Sequence, residues 1–293
     1  MPSYEPPSGG RHYIRNCRPH TVVDTLNPNV NWVIGDIHGM LRPLEALVSA
    51  VERADSGRQL LFVGDYVNRG PASRGVIDFL LSLSAARFVR GNHDDVFDQV
   101  LSSVSFCGQP GEDYRIASFK WFMQHGLDKT FTSYGATPAE LQRTLRRPTT
   151  ATLNELAATV PAAHKQFIRQ LPAVIQEDDF FVAHAKWDIF TATADPPIAE
   201  RLAAAQPSRY TLLWGRYRTD ELHEEKAWQH AGYFGHTPVD SYTDGKALTP
   251  VAGPKLVLLD TAVALVPHGR LTALCHETRR FIQVDAAGKV VTP

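Results

Sequence analysis

Cysteine is scarce in this chain. Three occur in 293 residues, Cys17, Cys107 and Cys275, and no two share a CxxC spacing. So sparse and odd a count excludes a disulfide framework and points to a reducing, cytoplasmic setting, with all three as ordinary thiols. Long apolar runs are missing as well. Nothing in the sequence approaches the roughly 18 residues needed to span a bilayer, and no charged-then-apolar leader opens it, so no membrane partner is expected. Charge of one sign is also lacking: 30 Lys and Arg stand against 31 Asp and Glu, a formal net charge of −1. That balance offers no whole-molecule reason for a nucleic-acid or membrane partner. What remains is ordinary for a globular enzyme, with 43% hydrophobic and 21% charged residues over a length sufficient for a large core. The opening MPSYEPPSGGRHY is polar and rich in Pro and Gly, so residues 1–20 read as a flexible tail and 21–293 as a single domain.

The first half alternates short apolar runs with helical stripes. Asn31–Ile34, Leu60–Val63 and Arg87–Arg90 read as strands, and Leu41–Val51, Gly75–Leu83 and Asp94–Leu101 as the helices between and after them. That alternation implies right-handed crossovers and a largely parallel sheet. Residues of about 105–171 carry helical patterns at Arg115–His125, Pro138–Leu145 and Leu153–Leu171 without a strong strand signal, and read as a helical insertion. Strands return at Ala173–Gln176, Phe180–Ala183, Leu256–Leu259, Leu271–Cys275 and Phe281–Val284.

The chemistry-bearing residues follow the strands. Gly35-Asp36-Ile37-His38-Gly39 comes after the first, Gly64-Asp65-Tyr66-Val67-Asn68-Arg69-Gly70-Pro71 after the second, and Arg90-Gly91-Asn92-His93-Asp94 after the third. In open α/β sheets the crevice beyond the strand C-termini binds ligands, and the flanking glycines let the chain turn sharply there. Asp36, His38, Asp65, Asn92 and His93 therefore aim into one crevice. The second half adds Val182-Ala183-His184-Ala185 and Phe234-Gly235-His236-Thr237-Pro238, each after an apolar run. Carboxylates and imidazoles suit Mn, Fe or Zn, and a carboxylate can bridge two such ions. Two metals roughly 3.5–4 Å apart can hold a hydroxide and clamp a phosphoryl oxygen for in-line attack. A lone GDxHG would be a weak signal; five such segments in this order are a specific one.

The order GDIHG, GDYVNRGP, RGNHD, HA, GHTP and Leu259-Asp260-Thr261 resembles the calcineurin-like metallophosphoesterases, over nearly the whole chain from Asn31 to Cys275. More narrowly it is similar to the small bacterial and phage phosphoprotein phosphatases. The resemblance implies an α/β fold in which an αββα sandwich sets two facing mixed sheets between helices. It implies a dinuclear site, most often loaded with Mn2+, with Fe or Zn as alternatives. Asp36 and His38 would bind the first metal, Asp65 would bridge, and Asn92, His184 and His236 would bind the second. His93 would be the general acid, and Arg69, Arg90 and Arg216 would hold phosphate oxygens. Guanidinium groups present a planar fork matched to a phosphate dianion, which supports those three independently.

Asn68 departs from the family pattern, which has Asp there to hydrogen-bond the catalytic His. An amide oxygen can accept from an imidazole N–H and hold its orientation, but it cannot stabilise an imidazolium with a full charge. Either activity falls, or the leaving group needs less protonation, as in a phosphoanhydride. The diadenosine tetraphosphate hydrolases of the same superfamily also lack this Asp and share Asn92-His93-Asp94. The second half, with Trp214-x-Arg216 and GHTP, looks more like the protein phosphatases, although Ala262 stands where Gly is usual and His125-Gly126 replaces Asn-Gly. The expected activity is therefore hydrolysis of phosphoserine, phosphothreonine or small phosphomonoesters. The alternatives are a dinucleoside polyphosphate or RNA-cap hydrolase, and a binding module that has lost catalysis. Outside the motifs, His12, His20, His164, His223, His230 and His268 read as surface or structural, while His125 and His276 stay open. Trp121, Phe122 and Met123 form a helical stripe expected in the core, and Arg143, Arg146 and Arg147 a solvated helix face.

Overall fold

The computed structural model describes residues 30–108, 110–187, 206–224, 226, 230–245 and 248–291. The expected tail at 1–20, with Cys17, His12 and His20, lies outside the described residues. Strands β1 (Val30–Ile34), β2 (Arg58–Phe62) and β3 (Ala86–Phe88) alternate with helices α1 (Leu41–Ala54), α2 (Ser73–Ser82) and α3 (Asn92–Ser102). A helical stretch follows: α4 (Glu112–Phe122), α5 (Asp128–Ser133), α6 (Pro138–Arg146), α7 (Thr150–Ala158) and α8 (Ala162–Gln170). The second half carries β4 (Val174–Gln176), β5 (Phe180–Ala183), helix α9 (Gln206–Trp214), β6 (Ala231–Phe234), β7 (Val251–Ala252) and β8 (Leu256–Leu258). The last strands are β9 (Arg270–Cys275), β10 (Phe281–Asp285) and β11 (Val290–Val291).

These strands form two mixed sheets, in the orders β11-β10-β9-β1-β2-β3 and β4-β5-β6-β8-β7. The strands that precede the motifs pair in parallel, β1 with β2, β2 with β3, β5 with β6 and β6 with β8. The remaining pairs are antiparallel, so the largely parallel sheet read from the first half holds only for β1, β2 and β3, at one side of the first sheet. The central strands alternate their side chains between two dry faces. Val33, Leu61 and Val63 meet Phe180, Val182, Tyr233 and Leu259 between the sheets. Trp32, Ile34, Leu60 and Phe62 point the other way, onto α1, α2 and the helical stretch. Phe181, Ala183 and Phe234 face outward from the second sheet, against Leu212 of α9 and Trp187. Removing each such side chain from water contributes about 1.5–3 kcal/mol. This two-faced burial is what makes the fold an αββα sandwich.

Local chemistry moves several expected boundaries. The single helix over Leu153–Leu171 is two helices, because Pro161 supplies no N–H and keeps the preceding residue out of the helical region. The helix read to His125 ends at Phe122. The next segment, Met123–Leu127, is a kink between α4 and α5, with His125 and Gly126 outside helical dihedrals. Gly126 takes φ +90°, and a Cβ there would sit 2.1 Å from the backbone N of Arg69, so only glycine lets this turn abut the second motif. Helix α9, of nine residues, and strand β6, of four, were not expected from the sequence as elements, since both are short.

Arg90 corrects a functional expectation. It was assigned to phosphate from its place in the third motif, yet it is 4% exposed and all five of its N–H groups are matched. Nε donates to Leu171 O (3.4 Å), Nη1 to Asp95 (3.0 Å) and Asp98 (3.3 Å), and Nη2 to Ile168 O (2.8 Å) and Arg169 O (2.9 Å). Its backbone N–H donates to Pro172 O at 2.7 Å, which ends β3 short of it. No donor remains for a ligand. Arg90 binds the end of α8 to the buried acids of α3. Arg90→Leu should therefore destabilise the fold by about 3–5 kcal/mol, because it leaves Asp95 and Asp98 buried and short of a countercharge. Urea unfolding checks this; an unchanged midpoint with weakened phosphate affinity would return Arg90 to the ligand.

Candidate metal centre

Six side chains assigned to metal from sequence converge beyond the C-terminal ends of β1, β2, β5 and β6 and at the start of α3. Asp36, His38, Asp65, Asn92, His184 and His236 are all buried. Asp65 stands between two donor groups. Its Oδ2 lies 3.5 Å from His38 Nε2, which is 4.0 Å from Asp36 Oδ2. Its Oδ1 lies 3.4 Å from His184 Nε2. Asn92 Oδ1 completes that side, 2.9 Å from His184 Nε2 and 3.0 Å from His236 Nδ1.

The tautomers of two imidazoles follow from the backbone. His38 Nδ1 sits 3.1 Å from Val67 O and His184 Nδ1 2.8 Å from Val63 O, so each Nδ1 carries the proton and donates it. In the neutral rings each Nε2 is then a lone pair: that of His38 lies near Asp65 Oδ2 and accepts from Arg69, while that of His184 faces Asp65 Oδ1 and Asn92 Oδ1. Acceptors facing acceptors in a dry pocket repel unless a cation lies among them. Two further buried acceptors, Asp36 Oδ1 and His236 Nε2, have no hydrogen-bond partner. These residues fit a pair of divalent cations. Asp36, His38 and Asp65 would hold one, and Asp65, Asn92, His184 and His236 the other.

The charge distribution agrees. Burial, then repulsion from Asp260, raises the Asp36 carboxyl well above the ordinary range. Without a cation, burial opposes a charged His184, but the carboxylates of Asp65 and Asp36 outweigh it and raise the imidazole to about 9, so a second proton takes the Nε2 position that a metal would claim. Burial and then the Arg69 guanidinium lower His38 to about 3. A crowd of buried carboxylates that draws a proton onto a neighbouring imidazole is a pocket built for positive charge.

Asp94 holds the frame. It is fully buried and assigned no role by its motif. Its Oδ2 accepts from the backbone N–H of Asp65 (2.8 Å) and of Gly91 (2.9 Å), and its Oδ1 from that of Tyr66 (3.0 Å). The second motif is thereby tied to the third. The signal was legible, since an acid at the third position of a helix commonly satisfies the N–H groups before it. Gly91 is needed for the same approach: a Cβ there would lie 2.1 Å from Asp65 Oδ1.

Two of the three arginines reach the cleft. Arg69 is partly buried, with Nη1 donating to His38 Nε2 at 2.6 Å. Arg216 is exposed, with Nη1 donating to Thr237 Oγ1 at 3.2 Å beside His236. His93 is buried, its ring 4.7 Å from that of His38. Asn68 touches it differently from the expectation. The Thr130 hydroxyl donates to Asn68 Oδ1 at 2.7 Å, so the amide nitrogen, not the oxygen, faces His93 Nδ1 at 2.9 Å. His93 Nδ1 accepts, and its proton rests on Nε2. Thr130, on α5, was invisible as a site residue because it lies 62 positions away in the helical stretch.

Other histidines settle as structural. His164 bridges Tyr134 and Asp78, and His276, left open from sequence, links Tyr233 and Asp179. His125 packs against Trp121 and Phe122. Trp121 is a correction: it is 49% exposed, whereas its neighbour Phe122 is in the core at 1%.

Comparison with known proteins places this geometry. A bis(5'-nucleosyl)-tetraphosphatase, symmetrical, from Coxiella burnetii (strain Dugway 5J108-111) is 44% identical over 71 residues, 24% of each chain. One of the same name from Legionella pneumophila (strain Lens) is 40% identical over 81 residues, 27% of this chain and 28% of that one. This chain thus spans about a quarter of the length of the curated relatives it matches. The structure of a mutant cold-active protein tyrosine phosphatase shares the fold at 16% identity and a TM-score of 0.50, over 90% of this chain and 80% of that one. Among the described residues no helix is long and apolar enough to cross a membrane. The family model for the calcineurin-like phosphoesterases matches residues 32–240, from the first buried strand past the last candidate ligand. The chain belongs to the calcineurin-like phosphoesterases.

Proposed function

We propose that this metallophosphoesterase hydrolyses the phosphoanhydride of dinucleoside tetraphosphates, adding water across the central P–O–P bridge to release two nucleoside diphosphates. The observation that carries the reading is the contact between Asn68 and His93. With an amide N–H on Nδ1, His93 has no carboxylate to hold it as an imidazolium, and burial together with His38 and Arg69 keeps its pKa well below the ordinary value despite Asp65. A neutral Nε2–H can hydrogen-bond to a departing phosphate, which is stable as an anion. Expelling a serine alkoxide calls for a stronger acid. The names of the Coxiella and Legionella relatives support the same choice over the phosphoprotein substrate expected from the second half of the sequence.

The chain's own residues divide the work. Arg69, against His38, and Arg216, against Thr237, would clamp phosphate oxygens, a contact that gains from charge assistance. His93 would donate from Nε2 to the bridging oxygen as it leaves. Asn68, held by Thr130, orients that ring. A bound pair of divalent cations, Mn2+ by our reading and compatible with this oxygen and imidazole set, supplies Lewis-acid polarisation of the phosphoryl group and acidifies water.

Three outcomes follow. Chelator-stripped protein should melt higher as Mn2+ is added, by about 2.7 kcal/mol of stabilisation at a hundredfold excess over Kd, and Asp65→Asn should lose that response. A flat melting curve in wild type would remove the metal centre. Diadenosine tetraphosphate should yield ADP alone by chromatography; turnover of a phosphoserine peptide with the dinucleotide intact would reverse the assignment. Asn68→Asp should raise turnover of alkyl phosphomonoesters relative to phosphoanhydrides by roughly 10-fold or more, since an acid catalyst contributes at least that much where the leaving group is poor. An unchanged ratio would show that Asn68 does not set the leaving-group preference.

A further inference from the structure

Helices α4 and α9 meet at the mouth of the cleft through aromatic rings. The Trp121 ring lies 5.6 Å from Trp214, centroid to centroid, with 21° between their planes, and Tyr210 lies 6.1 Å from Trp214 at 15°. Three rings on two helices are thus nearly parallel. The set joins the metal centre at two points. Trp214 meets the His236 ring edge-on at 6.3 Å, and Trp121 reaches His93 through Phe122, in steps of 5.1 Å and 4.9 Å.

Rings stacked only for packing would be dry. Here Trp121 is 49% exposed and Tyr210 62% exposed, while the adjacent Phe122 supplies the core contact for the same helix. Open aromatic surface beside a functional cleft marks a binding surface rather than a stabilising one. Its chemistry is specific enough to name an occupant. Flat π-faces held on helices favour a flat, π-rich ligand, and the neighbouring Arg69 and Arg216 favour phosphate. A molecule with both is a nucleotide. Aromatic stacking tolerates any base but is strongest for the larger ring systems.

We propose that Trp121, Trp214 and Tyr210 form a nucleobase platform that takes a purine of the substrate while its phosphate chain runs into the cleft. This rests on the dinucleotide reading for the identity of the substrate, and it makes the platform the specificity-determining surface of that site. Phe122 and His93 then lie between base and reacting phosphate, so the seated base sets how far the phosphate chain extends.

Isothermal titration of the Mn2+-loaded protein with AMP and with ribose 5-phosphate tests this, since the two ligands differ by the base. Trp121→Ala should weaken AMP about 5- to 150-fold, the range for loss of one base–aromatic stack, and ribose 5-phosphate less than twofold. Trp121→Phe should recover part of the loss. Tyr210→Ala is a second, independently folding probe, and Tyr114→Ala, an exposed ring of α4 outside the stack (53% exposed), controls for generic loss of aromatic surface. Equal weakening of both ligands, no change in either, or tighter binding of a phosphoserine peptide than of AMP would overturn the platform. Wild-type turnover of diadenosine tetraphosphate is scored separately: a platform that fails in a protein that cleaves the dinucleotide leaves the proposed reaction standing, and a base-dependent loss in a protein that does not cleave it leaves the platform standing.

Discussion

The Asp65 carboxylate is the constraint around which the site is built. One oxygen faces the Asp36 and His38 side, and the other faces His184 and accepts the His93 backbone N–H at 2.9 Å. A carboxylate can bridge two cations only if it is buried, ionised and aimed, and each condition has a separate cause. Burial alone would raise its pKa, but the imidazoles of His184, His93 and His38 hold it well below the usual range. Aim comes from the backbone. Asp65 takes φ +57°, a left-handed conformation that costs an L-residue about 1–2 kcal/mol, and the Asp94 clamp on its N–H keeps it there.

That strain is shared around the cleft. His38, Asn68, Arg69 and His236 also have positive φ, between 49° and 72°. Strain of this kind persists only where surrounding structure over-determines it. The surroundings here are identifiable. The backbone N–H groups of His38 and Gly39 donate to the carbonyls of Asp65 and Tyr66, and that of Arg69 donates to Gly126 O. The helical stretch is therefore more than a covering. Through Gly126 and Thr130 it fixes the conformation of the second motif and the amide of Asn68. Ala262, where the family has Gly, sits at φ +64°, which explains why glycine is the usual residue there.

Most of the sheet core and the convergence of the metal-binding set were legible in the sequence because both depend on local pattern. The continuous apolar runs at Trp32–Ile34 and Leu60–Val63, buried on both faces, and the polar residues directly after each strand are properties of short windows. What escaped depends on contacts distant in sequence. Arg90 reads like a phosphate ligand from its motif, and only the carbonyls of Ile168 and Arg169, far along the chain, show that its donors are spent. The Asn68 amide could have faced His93 either way; the Thr130 hydroxyl decides it. Trp121 fell in an apolar stripe, but consecutive helical residues point about 100° apart, so Phe122 could take the core and leave Trp121 to the solvent.

The orientation of one amide links these features to substrate choice. An Asp at position 68 would accept from His93 Nδ1 and stabilise the imidazolium, favouring reactions limited by departure of an alkoxide. Asn68 donates instead, so in the proposed reaction His93 would offer a hydrogen bond without a full charge, which suits a leaving group that is already a stable anion. Such a site cannot discriminate by acid strength among the many phosphoanhydrides of a cell. Selectivity must then come from outside the reacting atoms, from surface that recognises what the phosphate chain carries. The proposed platform at the junction of α4 and α9 would make that division, leaving chemistry to the buried acids and imidazoles and recognition to the exposed rings linked to them through Phe122 and Trp214.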